Sequence, residues 1–284
     1  MKPMKKTISY GYDSKPASVF RAFKKFYLGL VLFFMYAPII VLMIFSFNAS
    51  RSRGTWEGFT LDWYIQLFND PHTQLALRNT VLIAIFSTLL ATIIGTMAAV
   101  GIDRLKKRTR TVVMLVSRVP VMMPDIITGI SLMILFLFVF RMLGVGRLGF
   151  GTMLLAHVIF NVPYVILSVT PKLRQLDPNL YEAALDLGSS PFRAFVQVVL
   201  PELWPGVITG AMLAFTLSVD DFMVSFFTTS PGVQNLSIRI FAMTRRGVDP
   251  RINALSTLIF IVIMVLLFVI NKRDKTLIRR QQEE

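Results

Sequence analysis

The sequence predicts an all-α integral membrane protein with six transmembrane helices and both termini cytoplasmic. Three observations predict it. Hydrophobic residues make up 54% of the 284 and charged residues 16%, against about 25% charged in an average soluble domain. The apolar residues fall into six runs, each near the roughly 20 residues that cross a bilayer as a helix. Lys and Arg, 30 against 16 Asp and Glu, gather in the tails and in alternate connections, as cytoplasmic segments do.

The elements follow in chain order. Residues 1–27 form a basic cytoplasmic tail holding Lys2, Lys5, Lys6, Lys15, Arg21, Lys24 and Lys25 against Asp13. Span 1, Leu28–Phe47, carries no charge. Its apolar core is longer than a signal peptide's and no small-residue cleavage pattern follows, so it stays as the first helix. Span 2, Thr80–Ile102, is also uncharged, and a strongly basic loop from Arg104 to Arg118 leads to span 3, Val119–Phe140. Pro120, Pro124 and Gly129 surround Asp125 there and predict a break in the helix. Span 4, Leu148–Thr170, contains His157, read as a hydrogen-bonded structural histidine. A long polar connection, 172–202, leads to span 5, Leu203–Phe227, which holds Asp220 and Asp221. Span 6 is Ile252–Ile270, and residues 271–284 form a second basic cytoplasmic tail. Residues 28–270 are thus expected to form one six-helix transmembrane bundle. One loop dissents from the charge rule. Arg239, Arg245, Arg246 and Arg251 lie before span 6, outside in this arrangement.

Several functions are excluded. There is no Cys, and the chain's 2 His are far apart, which removes thiolate and His-based metal sites. HExxH and G-x-S-x-G are absent, so no catalytic residue and no metal ligand is predicted. There is no G-x-x-x-x-G-K-[ST] loop to hold ATP. The net charge of +14 sits between apolar runs, which favours membrane orientation over nucleic-acid binding.

The 172–202 connection is the most informative stretch. Asp177 followed by Pro178 can start a helix, which runs through Glu182-Ala183-Ala184 and stops near Gly188. Ser190 followed by Pro191 starts a second, which Pro201 is expected to end. Tyr181, Ala184, Leu185 and Leu187 leave the pair partly apolar. Connections this long are commonly functional, and two capped helices with an apolar face describe a docking surface.

Glu182-Ala-Ala, three residues, Gly188, nine residues, Val198, one residue and Leu200-Pro201 resemble the EAA coupling loop of ABC importer permeases, with Val where Ile is usual. Further stretches resemble the second permease subunit of spermidine/putrescine importers: Ser46-Phe-Asn48, Asp62-Trp63-Tyr64, Met122-Met-Pro124-Asp125, Ser218-Val-Asp220-Asp221 and Gly247-Val-Asp-Pro-Arg-Ile-Asn253. The resemblance implies a type I ABC importer permease fold in a bacterial inner membrane. It implies that Glu182, Ala183, Ala184, Asp186, Gly188, Leu200 and Pro201 couple to a dimer of ATP-binding subunits. ATP and Mg would be bound there, with no cofactor in this chain. A second homologous permease subunit and a periplasmic polyamine-binding protein complete the implied set of partners, with the lipid bilayer around them and no nucleic acid.

A carboxylate near mid-bilayer costs about 2.5–3.5 kcal/mol on insertion scales, so it faces a cavity or a partner. Asp125, Asp220 and Asp221 therefore define a candidate substrate path suited to a polycation. Alternatives stay open at each. Asp125 can instead pair with Arg118 or cap the helix after Pro124. Asp220 and Asp221 point about 100° apart, so one lines the path while the other bonds to a neighbour. Trp63 offers a cation–π face or an interfacial anchor, and Ser218 a hydrogen bond beside Asp221. Two rivals remain. Related importers for iron, thiamine or aminoethylphosphonate share the coupling loop. A stand-alone cation carrier explains the acids but not the capped helix pair.

Overall fold

The computed structural model describes residues 18–51, 54–177, 179–245 and 249–265. Most of both predicted tails lies outside them. Among the described residues the regular elements are helices, joined by one isolated antiparallel bridge, Asn48 with Phe59. They are α1 (Ser18–Phe45), α2 (Asp62–Asn69), α3 (Pro71–Asp103), α4 (Lys107–Met122), α5 (Asp125–Leu143), α6 (Phe150–Gln175), α7 (Leu180–Asp186), α8 (Pro191–Ala194), α9 (Leu200–Asp220), α10 (Met223–Thr228), α11 (Leu236–Arg245) and α12 (Arg251–Val265). Five stretches are long and apolar enough to cross a membrane: Phe23–Phe45, Pro71–Asp103, Asp125–Leu143, Phe150–Gln175 and Pro191–Asp220. α12 is apolar but shorter, and residues 266–270 of the predicted sixth span lie outside the described residues.

Where the sequence suggested one bundle, the chain groups into two compact units, Met1–Tyr64 with Pro250–Glu284, and Ile65–Asp249. The first contains α1 and α12. Its loop is tied by a knot of polar contacts. Ser46 Oγ meets Tyr64 Oη at 2.6 Å, and Trp63 Nε1 donates to the Asn48 carbonyl at 2.7 Å. Asn48 Oδ1 accepts from the N–H groups of Ser50 and Glu57.

The second unit is built on α3, α6 and α9. Met114, Val165, Ile166, Val169, Val199, Leu203 and Val207 form one of its apolar cores. The helices approach closely because glycine stands at the crossings, the device that lets membrane helices pack without a hydrophobic driving force. A Cβ on Gly95 would lie 2.6 Å from Val165 Cβ, and one on Gly210 3.1 Å from Val165 Cα. A second core gathers Leu132, Phe136, Ala156, Phe160 and Val224.

Several boundaries differ from the sequence-based expectation, each for a local reason. α3 begins at Pro71, ahead of Thr80, because Asp70 caps it by accepting from His72 N and Thr73 Oγ1. Span 3 is two helices, α4 and α5, with the expected break at Met123-Pro124. Span 5 does not run to Phe227. α9 ends at Asp220, Asp221 turns extended, and its carboxylate accepts from Val224 N and Ser225 N to start α10. The largest correction concerns Pro201, which does not end the second loop helix. α8 passes through a π-helical turn, Phe195–Val199, straight into α9. Leu200 N donates to Phe195 O, five residues back. That wider turn accommodates a proline, which has no N–H to give and crowds the preceding turn.

Candidate functional site

The 172–202 connection is built from three local devices. Asp177 Oδ1 accepts from Asn179 N at 2.9 Å and opens α7; Pro178 lies outside the described residues. Gly188, at φ +85°, ends the α7 region, a conformation glycine takes without a Cβ penalty. Ser190 Oγ then accepts from Arg193 N, with Pro191 opening α8. Glu182, Ala183, Asp186 and Gly188 are exposed, while Ala184 is buried against the body. Leu187 is 88% exposed and Phe192 76%, so both apolar side chains stand on the outer surface of the helix pair. Leu200 is half-buried and Pro201 exposed. Tyr181 packs on the core that contains Val199 and Leu203, and the Arg104 guanidinium lies over its ring, 4.5 Å from the centroid. The loop is therefore a rigid attachment to α9 and not a tether.

The acids separate into two kinds. Asp125 is the exposed first residue of α5, just past the break, and Asp220 is the exposed last residue of α9. Asp221 is buried. Besides capping α10, its Oδ2 lies 3.4 Å from His157 Nε2, and its carbonyl accepts from Asn235 Nδ2. His157 Nε2 also meets Ser225 Oγ at 2.8 Å, so the histidine is hydrogen-bonded as expected. Ser218 is 1% exposed and joins Ser87 Oγ at 2.9 Å with Asn161 Nδ2 at 2.7 Å. Trp63 is 7% exposed with its indole N–H used on Asn48. Ser218 and Trp63 are thus fastened inside their units.

Sequence reasoning did not foresee this polar lattice. Ser87, Asn161 and Ser218 meet from α3, α6 and α9, and Ser225 of α10 meets Asn235, just ahead of α11; no spacing signals either group. Thr80 Oγ1 likewise accepts from Leu236 N, and Asn79 Nδ2 donates to Gln234 O. At the same end, Arg239 Nη2 bonds Asp70 Oδ2 at 2.8 Å and holds α11 to the start of α3.

A helical membrane body carrying an exposed, capped helix pair fits a membrane component of a transport system. The family model described as "binding-protein-dependent transport system inner membrane component" matches residues 91–273, and the chain belongs to that family of inner-membrane transport components. It is 39% identical over 245 residues to the spermidine/putrescine transport system permease protein PotC of Escherichia coli (strain K12), covering 86% of this chain and 91% of that one. It is 40% identical over 228 residues to the putrescine transport system permease protein PotI of the same strain, covering 80% and 81%. The crystal structure of a bacterial alginate ABC transporter in complex with an alginate pentasaccharide-bound periplasmic protein contains a chain of the same fold. Its TM-score is 0.67 at 17% identity, over 89% of this chain and 91% of that one.

Proposed function

We propose that the chain is the membrane-spanning subunit of an ATP-driven polyamine importer in a bacterial inner membrane. The 39–40% identity to PotC and PotI across most of the chain carries this reading. In it, the chain and a second homologous permease form the two halves of the path. A periplasmic binding protein delivers the polyamine to the outer face. A dimer of ATP-binding subunits, holding ATP and Mg, docks on Glu182, Ala183, Asp186, Gly188, Leu187 and Phe192. Closure of that dimer drives α7 and α8, and the continuous helix through the π turn passes the motion to α9, which ends in Asp220. Leu200 and Pro201 sit at that junction. Asp125 and Asp220 are the carboxylates exposed for an ammonium group. Asp221, Ser218 and Trp63 act by holding the path's frame.

The fold does not choose the cargo, since the structural neighbour imports an acidic polysaccharide. Uptake of radiolabelled putrescine and spermidine, in cells co-expressing the neighbouring transporter genes, tests the proposal. Native uptake is expected. Asp125→Asn should weaken it about tenfold or more, the scale of one hydrogen bond to a charged group. Glu182→Lys should abolish it at unchanged membrane abundance. No polyamine uptake from a complex whose ATPase still responds to a binding protein would refute the substrate and point to an iron, thiamine or aminoethylphosphonate importer.

A further inference from the structure

One charged cavity has no part in the transport reading. It lies beside α4 and encloses about 550 Å³. Lys107, Arg110 and Arg118 of α4 and Arg174 of the last turn of α6 line it with Met114 and Leu115, and no carboxylate is in the lining. Arg110 pairs with Asp103 at 2.6 Å. Among the described residues, no acid stands within ion-pair distance of Lys107, Arg118 or Arg174. Cations gathered around one cavity repel each other, and an anion between them relieves that cost.

The register of α4 says which kind of anion. At 100° per residue, Lys107, Arg110, Thr111, Met114 and Arg118 share one stripe, the one that lines the cavity. Leu115 closes the lining's edge, and beyond it Val112, Val116 and Val119 form the adjacent stripe, between 50% and 63% exposed. A free phosphate would use the first stripe and leave the second bare. A lipid uses both. The basic loop also places this end of α4 at the cytoplasmic leaflet, whose anionic lipids such pockets attract.

We propose that this cavity binds the phosphate headgroup of an anionic phospholipid, with the acyl chains lying along Val112, Val116 and Val119. Met114, in the cavity wall, is buried in the same core as Val199 and Leu203, against which Tyr181 of the coupling loop packs. Headgroup occupancy therefore braces α4 against the element that receives the ATPase stroke.

The test uses the complete transporter in nanodiscs of phosphatidylcholine with graded phosphatidylglycerol, followed by native mass spectrometry of retained lipid. The native complex should keep phosphatidylglycerol selectively. Arg118→Ala with Arg174→Ala should weaken retention about thirtyfold, at roughly fivefold per cation. Arg118→Lys should keep most of it, and Arg108→Ala, on α4 but outside the lining, should change nothing. Equal retention by the double variant overturns the proposal. So does displacement of phosphatidylglycerol by millimolar inorganic phosphate, which assigns the cavity to a free anion. A protein segment of a partner subunit crosslinked into the cavity through Arg118→Cys also overturns it. Lipid retention does not depend on cargo, so failure of the polyamine assignment leaves this result interpretable.

Discussion

Adjacent aspartates at the end of α9 have opposite surroundings, and that separates their expected phenotypes. Asp221 caps α10 and faces His157. Asp221→Ala should cost at least the roughly 1 kcal/mol of a lost cap, lowering the melting temperature of the purified complex while leaving KM for polyamine unchanged in the surviving fraction. Asp220 is exposed, so Asp220→Asn should do the reverse, raising KM about tenfold at constant melting temperature. An unchanged KM for Asp220→Asn removes it from the path. Asp70 makes a pH prediction. Burial pushes its carboxyl up, but hydrogen bonds from Thr73 and Arg239, the Arg239 charge and the His72 N–H outweigh that and hold it below the ordinary carboxylate range. A carboxyl lowered by folding contributes stability that is fully present above its unfolded value and is lost as pH falls through the folded one. Amide exchange in α11, divided by its intrinsic rate at each pH, should therefore accelerate on acidification below the ordinary carboxylate range. In Asp70→Asn it should be fast at neutral pH. Identical exchange in the two proteins at neutral pH would deny the pair any role in holding α11.

At the scale of elements, hydropathy located five of the six predicted spans, because a lipid-facing surface must be apolar whatever the fold. It located their ends poorly. The polar first turns of α3, from His72 to Asn79, are stabilised by the Asp70 cap and by Asn79 and Thr80 bonding the chain around Leu236; a hydropathy count sees none of this. The α9–α10 break was hidden because a carboxylate that starts a helix and one that lines a path look alike in sequence. The 172–202 connection was the most legible part, since its capping residues act locally at Ser190 and Gly188. Its continuation through Pro201 was not, because a π turn needs one extra residue and leaves no compositional trace. That turn yields a prediction. Pro201→Ala restores an N–H and permits a regular helix, turning α7 and α8 by about 100° relative to α9. Stability should hold or rise, while polyamine carried per ATP hydrolysed falls. An unchanged ratio would mean that the turn is not part of the coupling. Gly210→Leu should be destabilising, by about 1–3 kcal/mol, since a Cβ there already lies 3.1 Å from Val165 Cα and 3.3 Å from Ser168 Cβ and the rest of the side chain has to follow. A thermal melt reads that directly.

At the scale of the whole molecule, sidedness is the point on which every functional assignment turns. The charge pattern places the Arg104–Arg118 and 172–202 segments inside and the α11 loop outside, although that loop is rich in Arg. The ion pair of Arg239 with Asp70 eases the conflict. It neutralises one of those cations and fixes α11 at the end of α3 opposite the basic loop. The chain has no Cys, so one introduced thiol reports one position. Thr244 and Leu187 are both exposed. In intact cells, Thr244→Cys should react with a membrane-impermeant maleimide, while Leu187→Cys should react only after the membrane is opened. Co-expression of the ATPase subunit should then protect Leu187→Cys, because that surface is the one assigned to docking. A C-terminal reporter fusion active only in the cytoplasm completes the test, since it requires the segment beginning with α12 to cross. Reversed labelling would invert the topology and with it the coupling surface, the path acids and the lipid cavity together. Correct labelling with an outward C-terminus would limit the chain to five crossings and leave the coupling surface intact.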